Sequence, residues 1–191
     1  MVAKINFNIN EFRGKLKDGG IRPNQFSVSI STPPTLGAAL GLAEISSFLV
    51  SVAELPGQTI GVAPVYYRGR EIKMAGDKVF APFTCTAIND TDMSIRNALE
   101  QWMNNIESNG GKDGATIPSN YMSTITVSQL DRKGNVVRAY KLFDAFPVDI
   151  SPIGLDFAAN DQMSTFSMTF QYQYFTIPGG TSRAVIDLFP G

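Results

Sequence analysis

Residues 166–174 read FSMTFQYQY, with an apolar side chain at every second position. In an extended strand, Phe166, Met168, Phe170, Tyr172 and Tyr174 fall on one face, and Ser167, Thr169, Gln171 and Gln173 on the other. Such a segment must bury one side and leave a neutral, hydroxyl- and amide-bearing side outward. That demands a sheet with a core on one face only. The same period runs through QFSVSI (25–30), SSFLVSVAEL (46–55), VFAPFTCTAI (79–88) and YMSTITVSQL (121–130). In 46–55 it puts Phe48, Val50 and Val52 on one face. DRKGN (131–135) supplies a hairpin connection with a glycine free to take positive φ. ELPG (54–57) and SPIG (151–154) add turn punctuation.

One segment departs from period two. In TDMSIRNALEQWMNNIESNGG (91–111), Ile95, Leu99, Trp102 and Ile106 recur at helical spacing, widened by Ala98 and Met103. Thr91 or Asp92 is placed to cap the start, and Gly110 with Gly111 to end it. The expected fold is mainly β: an antiparallel β-sandwich or barrel-like unit with one flanking α-helix at about 92–108. It forms one domain over 1–191, with an N-terminal arm (1–21), a β core (22–175) and a C-terminal arm (176–191). The apolar connector STPPTLGAALGLAE (31–44) is expected to be covered by a neighbouring molecule.

Composition removes most chemistry. The 191 residues include no histidine, one cysteine and a formal net charge of −1. Without histidine, Ser-His-Asp and Cys-His catalysis are closed, and so is the commonest metal ligand. Cys85, in an alternating apolar strand, reads as a buried structural thiol. No intrachain disulfide is open to a lone cysteine, no Walker or dinucleotide motif occurs, and NDTD (89–92) lacks a calcium loop's glycine and distal glutamate. Asp144, Asp149, Asp156 and Asp161 are the carboxylates a histidine-free hydrolase would need, but nothing in the sequence pairs them. No catalytic residue, cofactor or metal is therefore expected. MVAKINFNINEF has no apolar signal core, and the most apolar stretch (36–55) is broken by Gly, Ser and Glu44, so no membrane insertion is expected.

The charge that is present is concentrated. YRGREIKMAGDK (67–78) carries Arg68, Arg70, Glu71, Lys73, Asp77 and Lys78, in a chain only 17% charged. Interleaved acids would repel phosphate, so nucleic-acid binding fits poorly. A solvated hairpin and a charged docking edge both remain open.

RPNQF (22–26), ELPG (54–57) and YRGREIKMAGDKVF (67–80) are followed by a strand running into Asn89-Asp90 and a helix containing Trp102. LFDAFPVDISPIGLDFAANDQMSTFSMTFQYQYF (142–175) closes the pattern. Together these motifs, over about residues 20–175, resemble the tail-tube proteins of contractile, T-even-type bacteriophages, a superfamily that includes type VI secretion and pyocin tubes. The resemblance implies six copies in a ring, rings stacked into a hollow tube inside a sheath, and no enzymatic activity. The implied partners are other copies of the chain, the sheath, baseplate and tail terminator proteins, and the tape-measure protein and DNA in the lumen. The implied location is the virion tail, assembled in the host cytoplasm. In that setting Arg22, Pro23, Arg68, Arg70, Glu71, Lys73 and Asp77 are candidates for subunit and ring contacts, and Ser167, Thr169, Gln171 and Gln173 for the lumen wall. The alternatives are the tube of a type VI or other contractile injection system and, in another class, a monomeric β-sandwich binding module. The 31–44 connector and the tail after Phe175 depart from the family pattern, and both are expected to reach a neighbouring subunit or ring.

Overall fold

The computed structural model describes residues 8–16, 20–36, 41–108, 114 and 117–178. The elements in chain order are α1 (Ile9–Lys15), β1 (Phe26–Ile30), α2 (Leu42–Leu49), β2 (Val50–Ala53), β3 (Gln58–Tyr67), β4 (Arg70–Phe80), β5 (Phe83–Ile88), α3 (Ser94–Ile106), α4 (Pro118–Tyr121), β6 (Ser123–Leu130), β7 (Val136–Ile150), β8 (Thr165–Gln171) and β9 (Tyr174–Thr176). The fold is mainly antiparallel β, as expected. Its main sheet runs β1-β6-β7-β8-β5-β2, with β9 added along β7, while β3 and β4 form a separate two-stranded sheet.

The long strand β7 makes the sheet barrel-like. Its first part pairs with β6 as far as Ala145, and Phe146–Ile150 pairs with β8. Within the β6 ladder, between Leu142 and Ala145, the register slips, and Asp144 takes φ 55°. A residue displaced in this way bends a strand and increases its twist, so the two halves of the sheet face a common core. Val28, Ile30, Ile125, Val127 and Leu142 enter it from one half, and Phe83, Cys85, Ala87, Phe166, Met168 and Phe170 from the other. The alternation read in 166–171 is observed: Phe166, Met168 and Phe170 are buried, while Gln171 faces out. Past Gln171 the strand breaks. Tyr172 is still buried, but Tyr174 starts β9 and stacks on Phe143 at 4.9 Å, rather than extending the inner face.

The expected helix is α3. It buries Ile95, Ala98, Leu99 and Trp102 against the sheet, and the Trp102 indole N–H donates to the Tyr121 carbonyl at 2.6 Å. Its cap is not Thr91 or Asp92. Asp90 accepts from the Ser94 backbone N–H (2.8 Å) and from the Ser94 hydroxyl (2.6 Å), reaching over a left-handed Met93. Those hydrogen bonds hold the Asp90 carboxyl below its usual range. The helix ends at Ile106, and Gly110 and Gly111 lie outside the described residues.

Residues 46–55 depart from expectation. Their first half is helical: α2 buries Leu42 and Ser46, and only Val50–Ala53 is strand. Leu42, Ile45 and Leu49 sit three and four apart, a helical stripe that packs on the core and overrides the local alternation. Phe48 is consequently 80% exposed, not a companion of buried Val50. The Ser46 hydroxyl accepts from the Ile30 N–H at 3.0 Å and donates to the Ala43 carbonyl at 3.2 Å, tying α2 to the outer edge of β1. The described part of the apolar connector is thus partly covered by its own chain: Leu42 is in the core and Leu36 packs against it, while 37–40 lie outside the described residues. Residues 79–88 are likewise not one strand. They break at Ala81-Pro82, where proline offers no ladder donor. The C-terminal arm after Pro178 and residues 1–7 and 17–19 of the N-terminal arm fall outside the description.

Candidate functional site

The charged stretch lies in an unsupported ribbon. β3 and β4 pair from Gln58–Phe80 to Tyr67–Arg70, and Arg68 and Gly69 close the turn with φ 46° and 81°. Every residue of β3 is exposed, and every residue of β4 except Gly76 and Phe80. The ribbon is anchored at its root. Phe80 packs on Tyr172 (5.9 Å between ring centroids) and Phe175 (5.5 Å), and the Ala81 N–H donates to the Gly57 carbonyl. A two-stranded ribbon with both faces in water is marginal by itself.

Its two faces differ. Directly opposed residues share a face, so Ala63–Met74, Val65–Ile72 and Tyr67–Arg70 lie on one side. Val62–Ala75, Pro64–Lys73 and Tyr66–Glu71 lie on the other. The first face is apolar up to the cation at its tip. The second carries the mixed charge. Among the described residues, these charged groups form no ion pair with one another, the one described pair being Arg96–Glu100 at 2.8 Å on α3. Arg68 instead lies over the Tyr67 ring and Lys78 over Phe80, both at 5.5 Å. Near the root, Gly76 and Asp77 together oppose Gly61, a bulge inside the AGD triplet.

Of the sequence-derived interface candidates, Arg68, Arg70, Glu71, Lys73 and Asp77 come together on this ribbon. Arg22 and Pro23 lie elsewhere, in the turn entering β1, where the Arg22 carbonyl accepts from Gln129. The apolar half of the ribbon, with Val62, Val65, Ile72 and Met74 exposed, lies outside the candidates read from the sequence. The uncharged, largely apolar run IGVAPVYY (60–67), just before the charged stretch, is the signal the sequence carries for it.

Ser167 and Thr169 sit on the outer face of β8, bonded across the sheet to Thr86 (3.1 Å) and Thr84 (3.3 Å), with Gln171 and Gln173 exposed beyond them. Ser51 of β2 extends this hydroxyl row by donating to the Thr86 carbonyl at 3.3 Å. Asp149, opposite Thr169 and exposed, puts a carboxylate beside this row. The other acids have local structural roles or lie in loops. Asp144 sits at the bend of β7, Asp156 accepts from the Ala158 N–H, and Asp161 is in the exposed β7–β8 loop. Cys85 is buried, and desolvation pushes its thiol up to about 12.

Residues 21–178 match the family model described as phage tail tube protein. The tail tube protein of Serratia phage KSP90 is 28% identical over 166 residues, 86% of this chain and 93% of that protein. The tail tube protein of Enterobacteria phage T4 is 26% identical over 155 residues, 81% of this chain and 90% of that protein. In fold, the chain is similar to one in the sheath-tube complex of the extracellular contractile injection system PVC, with TM-score 0.55 and 16% identity, covering 86% of this chain and 95% of that one. A chain in the baseplate structure of the anti-feeding prophage gives TM-score 0.55 and 13% identity, covering 83% and 95%.

Proposed function

Because the chain belongs to the phage tail tube protein family, we propose that six copies close into a ring, that rings stack into the inner tube of a contractile tail, and that the tube conducts DNA during ejection. The observation that carries this reading is the β3–β4 ribbon, with exposed apolar groups on both faces and charges that form no ion pair among the described residues. A neighbouring subunit that covers the ribbon removes the apolar surface from water, roughly 25 cal/mol for each Å² buried. Mixed charges on its second face then fix one register and disfavour others. The hydroxyl and amide face of β5 and β8 suits the lumen: Ser167, Thr169, Gln171 and Gln173 offer DNA no cation to grip. Arg22 and Pro23 are assigned to a further subunit contact.

In this reading the protein is structural, not an enzyme, and is a virion component assembled in the host cytoplasm. Its outer wall meets the sheath, its ends meet the baseplate and terminator, and its lumen holds the tape-measure protein and then DNA. A second reading, the tube of a contractile injection device, is favoured by the fold shared with chains of the PVC and anti-feeding prophage assemblies. Capsid and terminase genes beside this one would decide for the phage. Negative-stain microscopy of the purified protein separates both from a monomeric binding module. Rings and tubes are expected, and a persistent monomer at high concentration overturns the proposal.

A further inference from the structure

The loop between β7 and β8 presents apolar side chains to water from a built scaffold. Leu155 is 91% exposed, Met163 78%, and Phe157 fully exposed. The turn that presents Phe157 is ordered by its own bonds: the Asp156 carboxylate accepts from the Ala158 N–H at 2.9 Å, and the Asp156 carbonyl from the Ala159 N–H at 3.2 Å. Ile153 anchors the base of the loop to the core. The loop sequence SPIGLDFAANDQMS (151–164) contains two carboxylates, Asp156 and Asp161, and no cation.

That combination complements one face of the β3–β4 ribbon. Val65, Ile72 and Met74 are exposed there, the face ends in Arg70, and no carboxylate lies among its opposed pairs. Among the described residues both surfaces are exposed, so a contact between them belongs between copies. Two different patches meeting head to tail form a heterologous contact, the type that closes rings or propagates stacks. We propose that Leu155, Phe157 and Met163 of one copy pack on the Val65–Ile72–Met74 face of a neighbour's ribbon, with Asp156 facing Arg70. This rests on the self-assembly proposed above and names the surface the ribbon meets. A rigid aromatic in the centre of such a contact carries a large share of the association energy.

The test uses the full chain. Phe157→Ser should fold and melt like the parent, because the side chain is fully exposed, yet should raise the critical concentration for tube formation about thirtyfold. Arg70→Gln and Asp156→Asn, which keeps an oxygen to accept from the Ala158 N–H, should each raise the critical concentration, and the double exchange should raise it by less than the two effects combined. Ala63→Cys, opposite Met74, with Ala158→Cys, next to Phe157, treated with a short bis-maleimide, should give a ladder of cross-linked subunits in assembled protein. A parent-like critical concentration for Phe157→Ser, additive effects of the Arg70 and Asp156 exchanges, or tubes without a ladder overturns the contact while leaving the tube intact. A parent chain that stays monomeric overturns the self-assembly reading itself, and this contact with it.

Discussion

Gly61 and Gly76 face each other across the β3–β4 ribbon so closely that a Cβ on Gly76 would lie 3.1 Å from the Gly61 carbonyl carbon. On Gly61, a Cβ would lie 3.3 Å from the Asp77 carbonyl oxygen. The bulge at this point, two residues opposing one, twists the ribbon near its root. The neighbouring contact is backbone, which has little freedom to give way. Gly76→Val should therefore leave the melting temperature of the monomer nearly unchanged but re-aim the ribbon and abolish tubes. Thermal melts alongside negative-stain microscopy check both halves.

Trp102 links α3 to the core through Phe170 (6.2 Å) and to Tyr121 through its indole N–H. Trp102→Ala should cost about 3–5 kcal/mol of stability. Trp102→Phe keeps most of the apolar volume but deprives the Tyr121 carbonyl of its donor, about 1 kcal/mol. Urea unfolding of the two variants separates packing from the hydrogen bond.

Ser46→Ala removes the acceptor for the buried Ile30 N–H. A buried donor left unsatisfied costs about 1–3 kcal/mol. Ser46→Thr retains the hydroxyl, but its added methyl must fit a fully buried site. Urea midpoints should rank the parent above both variants.

Asp90 gives the acid side of the stability curve a defined sign. Its pKa in the folded state is lowered by the Ser94 hydroxyl and backbone N–H. The stabilisation is therefore present above the unfolded value of about 3.9 and fades as pH falls through the folded one. Asp90→Asn should be less stable than the parent at pH 7, and the gap should close below about pH 4. Denaturation series across that range measure it.

Cys85 behaves oppositely. Burial keeps the thiol neutral up to about 12, so the folded chain should resist thiol reagents and react only on opening. An unfolded thiol ionises near 8.5, so stability should decline as pH rises above that value. Labelling rates with and without denaturant check the first point, and midpoints at pH 7 and pH 9.5 the second.

The parts legible in the sequence were those in which one periodicity acted alone. FSMTFQYQY announced an inner and an outer face because nothing competed with its alternation as far as Tyr172. The α3 stripe was plain because its apolar residues repeat over three turns. The strand expected at 46–55 failed because Leu42, Ile45 and Leu49 carry a helical stripe across the same residues. Packing on β1, with Ser46 bonded to Ile30, favours that stripe. Asp90 is not the cap that pattern points to, because capping favours a residue next to the helix, whereas a left-handed Met93 lets a more distant carboxylate reach Ser94. For the candidate site, the charges of β4 were visible at once. The apolar side chains of β3 and the β7–β8 loop were not, because exposure of an apolar residue is a property of the folded chain.

Amide hydrogen exchange of the β3–β4 ribbon, compared between monomer and assembled protein, tests the central claim most directly. In the monomer, the Gln58–Phe80 amides should exchange faster than those of β6 and β7, since both faces of the ribbon are exposed among the described residues. In tubes, the same amides should become protected while those of β6 and β7 change little. Protection already present in the monomer, or a ribbon that stays unprotected in the tube, would contradict its role as the element through which subunits meet.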